Sequence, residues 1–558
     1  MTVSGGVNPG PLTVLVSTRA VLTLPDNSLI LTPATVAVSA ETGKIVSIAH
    51  EILPQSTFPS STTYIDYGSK LLLPGLVDAH VHLNEPGRTE WEGFHTGTRA
   101  AASGGVTTVV DMPLNAIPPT TTLEGFKVKL AASKGQCWVD VGFYGGVIPG
   151  NAEELIPLVE AGVRGFKGFL IESGVDEFPA ISSNDIALAM TTLKDHPTTL
   201  MFHAEMIPPI SDSVGDAVQH SDPPLAPHGQ LTSYQTFLES RPPAFETYAI
   251  DEILSLAHLA PALHLHIVHL SATECIPLLK AARKAGINIT AETCFHYLGL
   301  AAEDVEDGDT RHKCCPPIRG QTNRDGLWAE LGSGAADSVI RTVVSDHSPC
   351  TPELKLLPGH LQHIHTEEDD VRSQMRHSDS GIDMSLPEEE RAAAHNKLLG
   401  AAASTTVDAA ATAAEAKDMG DFFAAWGGIS SVGLGLPILH TTSLARAATS
   451  SAAPTIVDIV RLCCQATAKQ VGLSHRKGGL AVGMDADVCV FDDGETWTLH
   501  SRGMHWKNRC SPWEGKTFRG RVRETWLRGR KVYEFGGKNG GFVCGTPVGE
   551  AITERRTV

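Results

Sequence analysis

The sequence predicts an α/β chain: a (β/α)8 barrel of the TIM type carrying a small β-sandwich domain built from both termini. Three observations predict it. Apolar, β-rich runs alternate with Ala-rich helical stretches through the middle of the chain. Short strand-like runs separated by turns occupy both ends. Polar side chains able to do chemistry close several of the central runs, and a barrel of this kind keeps its chemistry at the C-terminal ends of its strands.

At the N-terminal end the strand-like runs are residues 12–16, 35–38 and 44–48; at the other end they are 486–491, 522–527 and 531–533. We read both sets as one sandwich over residues 1–73 and 474–540. The barrel is expected over 74–473. Its eight strands are expected at 71–82, 106–111, 139–144, 165–170, 199–203, 264–270, 288–292 and 341–345. Residues 541–558 are expected to form a C-terminal tail. One stretch, 358–418, breaks the alternation. It holds no Phe, Trp or Tyr, is acidic and His-rich first and Ala/Thr-rich afterwards. Such a composition buries little, so a mobile surface insertion is expected, with His360, His363, His365, His377 and His395 solvated.

Composition excludes some classes of function. The 558 residues are 42% hydrophobic and 19% charged, ordinary for a soluble globular chain, and the formal net charge of −19 disfavours nucleic-acid or anionic-membrane partners. No apolar run is long enough for a membrane span. A basic segment followed by an apolar one is missing from the first residues, so a secretory leader is not expected. The 11 cysteines, an odd number, suit reduced thiols inside a cell. The expected compartment is the cytoplasm, with an organelle left open; Arg556-Thr557-Val558 is not a Ser-Lys-Leu signal.

The chemistry begins at His80 and His82, which close an apolar run. Residues i and i+2 of a strand point to one side, so both imidazoles can meet one metal ion. Lys167 sits in the apolar run Gly165-Phe166-Lys167-Gly168-Phe169-Leu170. A lysine there loses its hydration unless it is paired or modified. Neutral, it can react with carbon dioxide to give a carbamate whose two oxygens can bridge two metals. His203 and His269 close two further runs. Asp346 closes the last, where a carboxylate can bind a metal and act as general base and then general acid.

The ordered set His-x-His, Lys, His, His, Asp, on strands 1, 4, 5, 6 and 8, resembles the amidohydrolase superfamily in its binuclear, carboxylated-lysine branch. Dihydroorotases, hydantoinases, dihydropyrimidinases and allantoinases belong there. The motif Lys477-Gly478-Gly479-Leu480-Ala481-Val482-Gly483-Met484-Asp485-Ala486-Asp487 is also similar to that superfamily's return to the sandwich. Four further segments look most like allantoinases: 80–94, 111–120, Lys313-Cys314-Cys315-Pro316-Pro317-Ile318-Arg319 and Ser345-Asp346-His347-Ser348-Pro349-Cys350. Asn84 stands where dihydroorotases usually carry an Arg suited to a carboxylate, and allantoin has none. Residues 430–437 depart from the family's pattern.

The resemblance implies two divalent metals, zinc first, with manganese, cobalt or iron compatible. They would share a hydroxide and the Lys167 carbamate (N6-carboxylysine, formed with carbon dioxide). It places His80 and His82 on one metal with Asp346, and His203 and His269 on the other. It implies attack of the hydroxide on a hydantoin ring carbonyl, with Asp346 moving the proton, so that allantoin becomes allantoate in purine catabolism. Asn84, Asn115, Cys315, Ser348 and Gly428 become candidate substrate contacts, and a homotetramer or homodimer is implied. The alternatives are a dihydroorotase or a hydantoinase/dihydropyrimidinase-type enzyme and, more remotely, a non-catalytic scaffold relative, against which all six ligand positions are filled.

Overall fold

The structure is a computed structural model that describes residues 11–208, 227–332, 337–362, 419–448 and 453–557. Its first strands are β1 (Leu12–Thr23), β2 (Leu29–Ser39), β3 (Ile45–Ala49), β4 (Thr63–Asp66) and β5 (Leu71–Pro74). Then come β6 (Leu76–Val81), β7 (Val106–Asp111), β8 (Asp140–Phe143), β9 (Gly145–Gly146), β10 (Phe166–Phe169), β11 (Thr199–His203), β12 (His264–Ile267), β13 (Ile289–Cys294) and β14 (Ile340–Val344). Last are β15 (Val488–Thr498), β16 (Thr517–Leu527) and β17 (Arg530–Glu534).

Both ends of the chain meet in one sheet. Its order is β17-β16-β15-β5-β1-β2-β3, with β4 also on β1. A register shift between Ser17 and Ala20 lets β1 pair with β4 along one half and β5 along the other. The period of two sorts the faces. Leu72, Val488 and Val490 pack into the sandwich core with Leu15, Val36 and Trp526. Leu71, Leu73, Cys489 and Phe491 point the other way and join the barrel's core. Covered on both faces, β5 is apolar without interruption.

The run 71–82, expected as one strand, is two. Gly75 breaks it, and its N–H donates to the Asp487 carbonyl (2.9 Å). A Cβ on Gly75 would lie 2.2 Å from Thr107 Oγ1, so only glycine fits where the chain crosses from sheet to barrel.

The barrel strands are all parallel, β6-β7-β8 on one arc and β9 through β14 on the other. The third strand joins the arcs by changing partner: β8 pairs with β7 and β9 with β10. At the seam, Val81 bridges His347, and the His82 N–H donates to the His347 carbonyl (2.8 Å). Helices return the chain between strands, among them Phe94–Ser103, Leu123–Ser133, Ser183–Leu193 and Cys275–Lys284. Their starts are chemically marked: the Thr122 side chain accepts from the Gly125 N–H, and Ser182 with Asp185 forms a capping box.

At the N-terminal end of the barrel a buried charge cluster ties the two domains. Lys477 Nζ lies 2.6 Å from Asp140, 3.0 Å from Asp485 and 2.7 Å from Asp487, and Arg528 pairs with Asp140. Burial alone would lower the lysine's pKa; the carboxylates overcome this and hold it above the usual lysine range. The residues after 540, expected as a tail, run along this end instead. The Val141 N–H donates to the Glu550 carbonyl (2.9 Å), and the Ile552 N–H to that of Val141 (2.7 Å). Arg556 donates to the Arg164 carbonyl and to Thr199 Oγ1. The insertion expected at 358–418 lies, from 363 onward, outside the described residues. No helix among the described residues is long and apolar enough to cross a membrane.

Candidate metal centre

The expected ligands converge at the C-terminal ends of the barrel strands. His80 and His82 flank Val81 at the end of β6, with ring centroids 5.4 Å apart. His80 Nδ1 bonds Glu292 Oε1 on β13 (2.6 Å). Its buried Nε2 makes no hydrogen bond among the described residues and lies 3.2 Å from Asp346 Oδ1. His82 Nε2 lies 3.5 Å from the same oxygen. The three ligand atoms stand within 4.8 Å of one another, a spacing that can hold a cation.

His203 ends β11, and His269 follows β12. His203 Nδ1 is 3.0 Å from His269 Nε2. The outward nitrogen of His203, Nε2, bonds Glu205 Oε2 (2.7 Å). His203 therefore carries its proton on Nε2 and turns the Nδ1 lone pair inward. His269 and Asp346 have positive φ (36° and 44°), a conformation that costs a non-glycine residue of order 1–3 kcal/mol and that clusters at functional sites.

Lys167 stands on β10, 1% exposed, with no ion pair among the described residues. Burial lowers its pKa to about 8, although Asp346 and Glu292 oppose the shift. Burial likewise lowers His82 to about 4 and His269 well below the usual imidazole range. Burial would raise Asp346, but the histidines around it hold its carboxyl well below the usual range. At neutral pH the site thus offers neutral His82, His203 and His269 rings, an ionised Asp346 carboxylate and a lysine that burial shifts toward its neutral amine, a donor set suited to divalent metals.

Above the ligands opens a cavity of about 340 Å³. His82, Lys167, His203, His269 and Asp346 line it; His80 does not, being behind them. Of the expected substrate contacts, Asn115, Cys315, Ser348 and Gly428 line it too. Ser348 Oγ donates to Asp346 Oδ1 (2.8 Å). Gly428 has φ 149°, and a Cβ there would lie 2.2 Å from the Ser348 carbonyl oxygen. Asn84 is not among the lining residues. It is 1% exposed, with φ 61°, and its Nδ2 donates to the Pro349 carbonyl (3.2 Å). It therefore fixes the loop after β6 instead of facing the cavity.

Sequence reasoning missed the groups that hold these ligands. Glu292 and Glu205 each bond a histidine, and Arg241 Nη1 donates to Glu205 Oε2 (2.6 Å). For Glu205 the available signal was a carboxylate two residues past the strand-end His203; Glu292 carries no such signal. Lys313 and Lys355 were missed as well. Lys313 Nζ donates to the Phe423 and Ala425 carbonyls, and Lys355 Nζ to those of Trp426 and Gly428. They pin the segment that walls the cavity.

Comparison with known proteins agrees with this geometry. The model of the amidohydrolase family matches residues 71–532. The chain is 43% identical to an allantoinase of Saccharomyces cerevisiae over 94% of this chain and 96% of that one. It is 38% identical to an allantoinase of Streptomyces avermitilis, over 90% and 92%. Among solved structures, an L-hydantoinase (dihydropyrimidinase) from Arthrobacter aurescens superposes with a TM-score of 0.74 at 24% identity, over 97% of this chain and 99% of that one. A dihydropyrimidinase from Brevibacillus agri gives 0.70 at 23%, over 98% and 99%. These two likenesses speak to the fold.

Proposed function

The chain belongs to the amidohydrolase family, and from that premise we propose that it hydrolyses the hydantoin ring amide of allantoin to allantoate, a step of purine catabolism. The observation that carries the reading is the joint one: 43% identity to an allantoinase over nearly the full length of both chains, with three histidines, a lysine and an aspartate lining one cavity and His80 behind them, beside His82 and Asp346.

The residues fit two metals. His80 Nε2, buried without a hydrogen bond, and His82 Nε2 would hold one with Asp346. His203 Nδ1 and His269 Nε2, only 3.0 Å apart, would hold the other. Two nitrogens are too few for it, and Lys167, as a carbamate, would supply anionic oxygen ligands. We take the metals as zinc, with manganese, cobalt or iron compatible. Bound there, they would polarise the ring carbonyl and lower the pKa of a water.

The chain's own groups do the rest. Asp346, oriented by Ser348, accepts the water's proton and returns it to the ring nitrogen as the C–N bond breaks. Asn115, Ser348 and the backbone at Cys315 and Gly428 orient the ring from the cavity wall. We place the enzyme in the cytoplasm as a homotetramer or homodimer, with residues 1–73 and 474–540 as its sandwich and 74–473 as its barrel.

The test is an allantoin hydrolysis assay on purified protein with its metal content measured. Asp346→Asn should lower kcat by a factor on the order of 10² to 10⁴. Turnover of dihydroorotate or hydantoin, with none of allantoin, would reject the substrate.

A further inference from the structure

Each histidine pair has one member whose outward nitrogen is claimed by a fully buried carboxylate: His80 by Glu292 and His203 by Glu205. The two carboxylates are secured differently. Glu292 is met by ring and amide groups, His266 Nε2 at 3.1 Å and Gln470 Nε2 at 3.2 Å, behind the cavity. Glu205 is met by a guanidinium. Arg241 Nη1 lies 2.6 Å from Oε2, the same oxygen that His203 uses, and the other oxygen is buried without a partner. Arg241 itself is one of the cavity-lining residues.

We infer that Arg241 and Glu205 are positioning residues for one metal only: Glu205 fixes the His203 tautomer, and Arg241 holds Glu205 in place from the cavity side. The inference rests on the two-metal reading above. A histidine whose N–H is not claimed divides between two tautomers and is a poorer ligand. The His80/His82 pair also has the Asp346 carboxylate beside it, whereas the other position has only the His203 and His269 rings. The His203/His269 position is therefore the weaker of the two, and its hold on metal depends on a side chain that faces the substrate.

The experiment equilibrates the zinc-loaded protein with a graded series of zinc–chelator buffers and counts zinc per chain. Wild type should lose two zinc ions in two separate steps. Glu205→Gln and Arg241→Met should weaken the weaker step, moving it to about 10- to 100-fold higher free zinc, and leave the tighter step in place; a tightened step overturns the inference. Arg241→Lys, which keeps a cation, should recover part of the shift. If Arg241→Met does not fold, the double variant Glu205→Gln/Arg241→Met, which removes both charges together, carries the same expectation. Loss of both ions together in the variants, or unchanged steps, overturns the inference while leaving the two-metal site intact. Fewer than two zinc ions in wild type overturns the site reading and the inference with it.

Discussion

The two ends of the barrel each hold a buried cluster of charged and titratable groups, and they solve the same problem in opposite ways. At the N-terminal end Asp140, Asp485 and Asp487 have a metal-like spacing, but Lys477 Nζ already occupies their centre, within 3.0 Å of all three. At the C-terminal end His80, His82 and Asp346 have the same spacing, and the inward ring nitrogen of His80 has no hydrogen bond. Spacing of ligand types therefore does not identify a metal centre. What separates the two is whether a protein cation satisfies the donors. The lower cluster is closed and welds β8 to the return into β15; in the upper one no lysine or arginine among the described residues forms an ion pair with Asp346.

The largest test of that contrast is Lys167→Ala. At the upper end it should cost both bound metals and reduce allantoin hydrolysis to background, read by metal analysis and assay; undiminished metal and activity would remove the carbamate from the account. Its counterpart is Lys477→Met. Asp140 would keep Arg528 and Asp485 would keep Lys44 and Arg476, but Asp487 would lose its ion pair, and breaking such a buried set costs about 3–5 kcal/mol. Chemical denaturation should show that loss while zinc content stays at the wild-type value. If the variant instead recruits a divalent cation at the lower end, the line drawn between the clusters moves.

A pH experiment sharpens the comparison from the lower end. His264, at the start of β12, bonds Thr199 and Thr290, and burial holds its pKa at about 3. The unfolded chain takes up this proton near 6.5. The folded pKa is depressed, so the stability present above 6.5 is lost as pH falls toward 3. His264→Gln should flatten this part of the stability–pH curve. The smallest effect is expected from Asn84→Ala, about 1 kcal/mol of stability from the lost bond to Pro349, with KM for allantoin unchanged. A raised KM would put Asn84 back in contact with substrate.

How much of this was legible in the sequence follows from what each feature depends on. His80, His82, Lys167, His203, His269 and Asp346 stand out because a polar residue ending an apolar run violates the local pattern, and the violation survives without any knowledge of packing. The break at Gly75 was hidden because the residues on both sides of it, Leu71–Pro74 and Leu76–Val77, are apolar; only the approach of Thr107 shows why the chain needs glycine there. The partner change from β8 to β9 was hidden for the same reason, since it depends on which neighbour a strand meets and not on its own residues. Asn84 was read from the Arg that dihydroorotases carry at its position, a comparison of residue types that does not say where a side chain points; here its backbone is left-handed and its amide donates to Pro349. Glu205 and Glu292 are ordinary residues in one dimension and acquire meaning only when a histidine from another strand, or a neighbour two residues back, comes within reach.

The pairing of β5 with β15 has a consequence in time. Leu71 and Phe491 are neighbours in the sheet, yet roughly 400 residues are synthesised between them, which takes a ribosome about 20–80 s at ordinary elongation rates. Throughout that interval one edge of β5 has no partner, and an open apolar edge is a template for the wrong strand. The last part of the chain to be translated is thus the part that makes the first part safe.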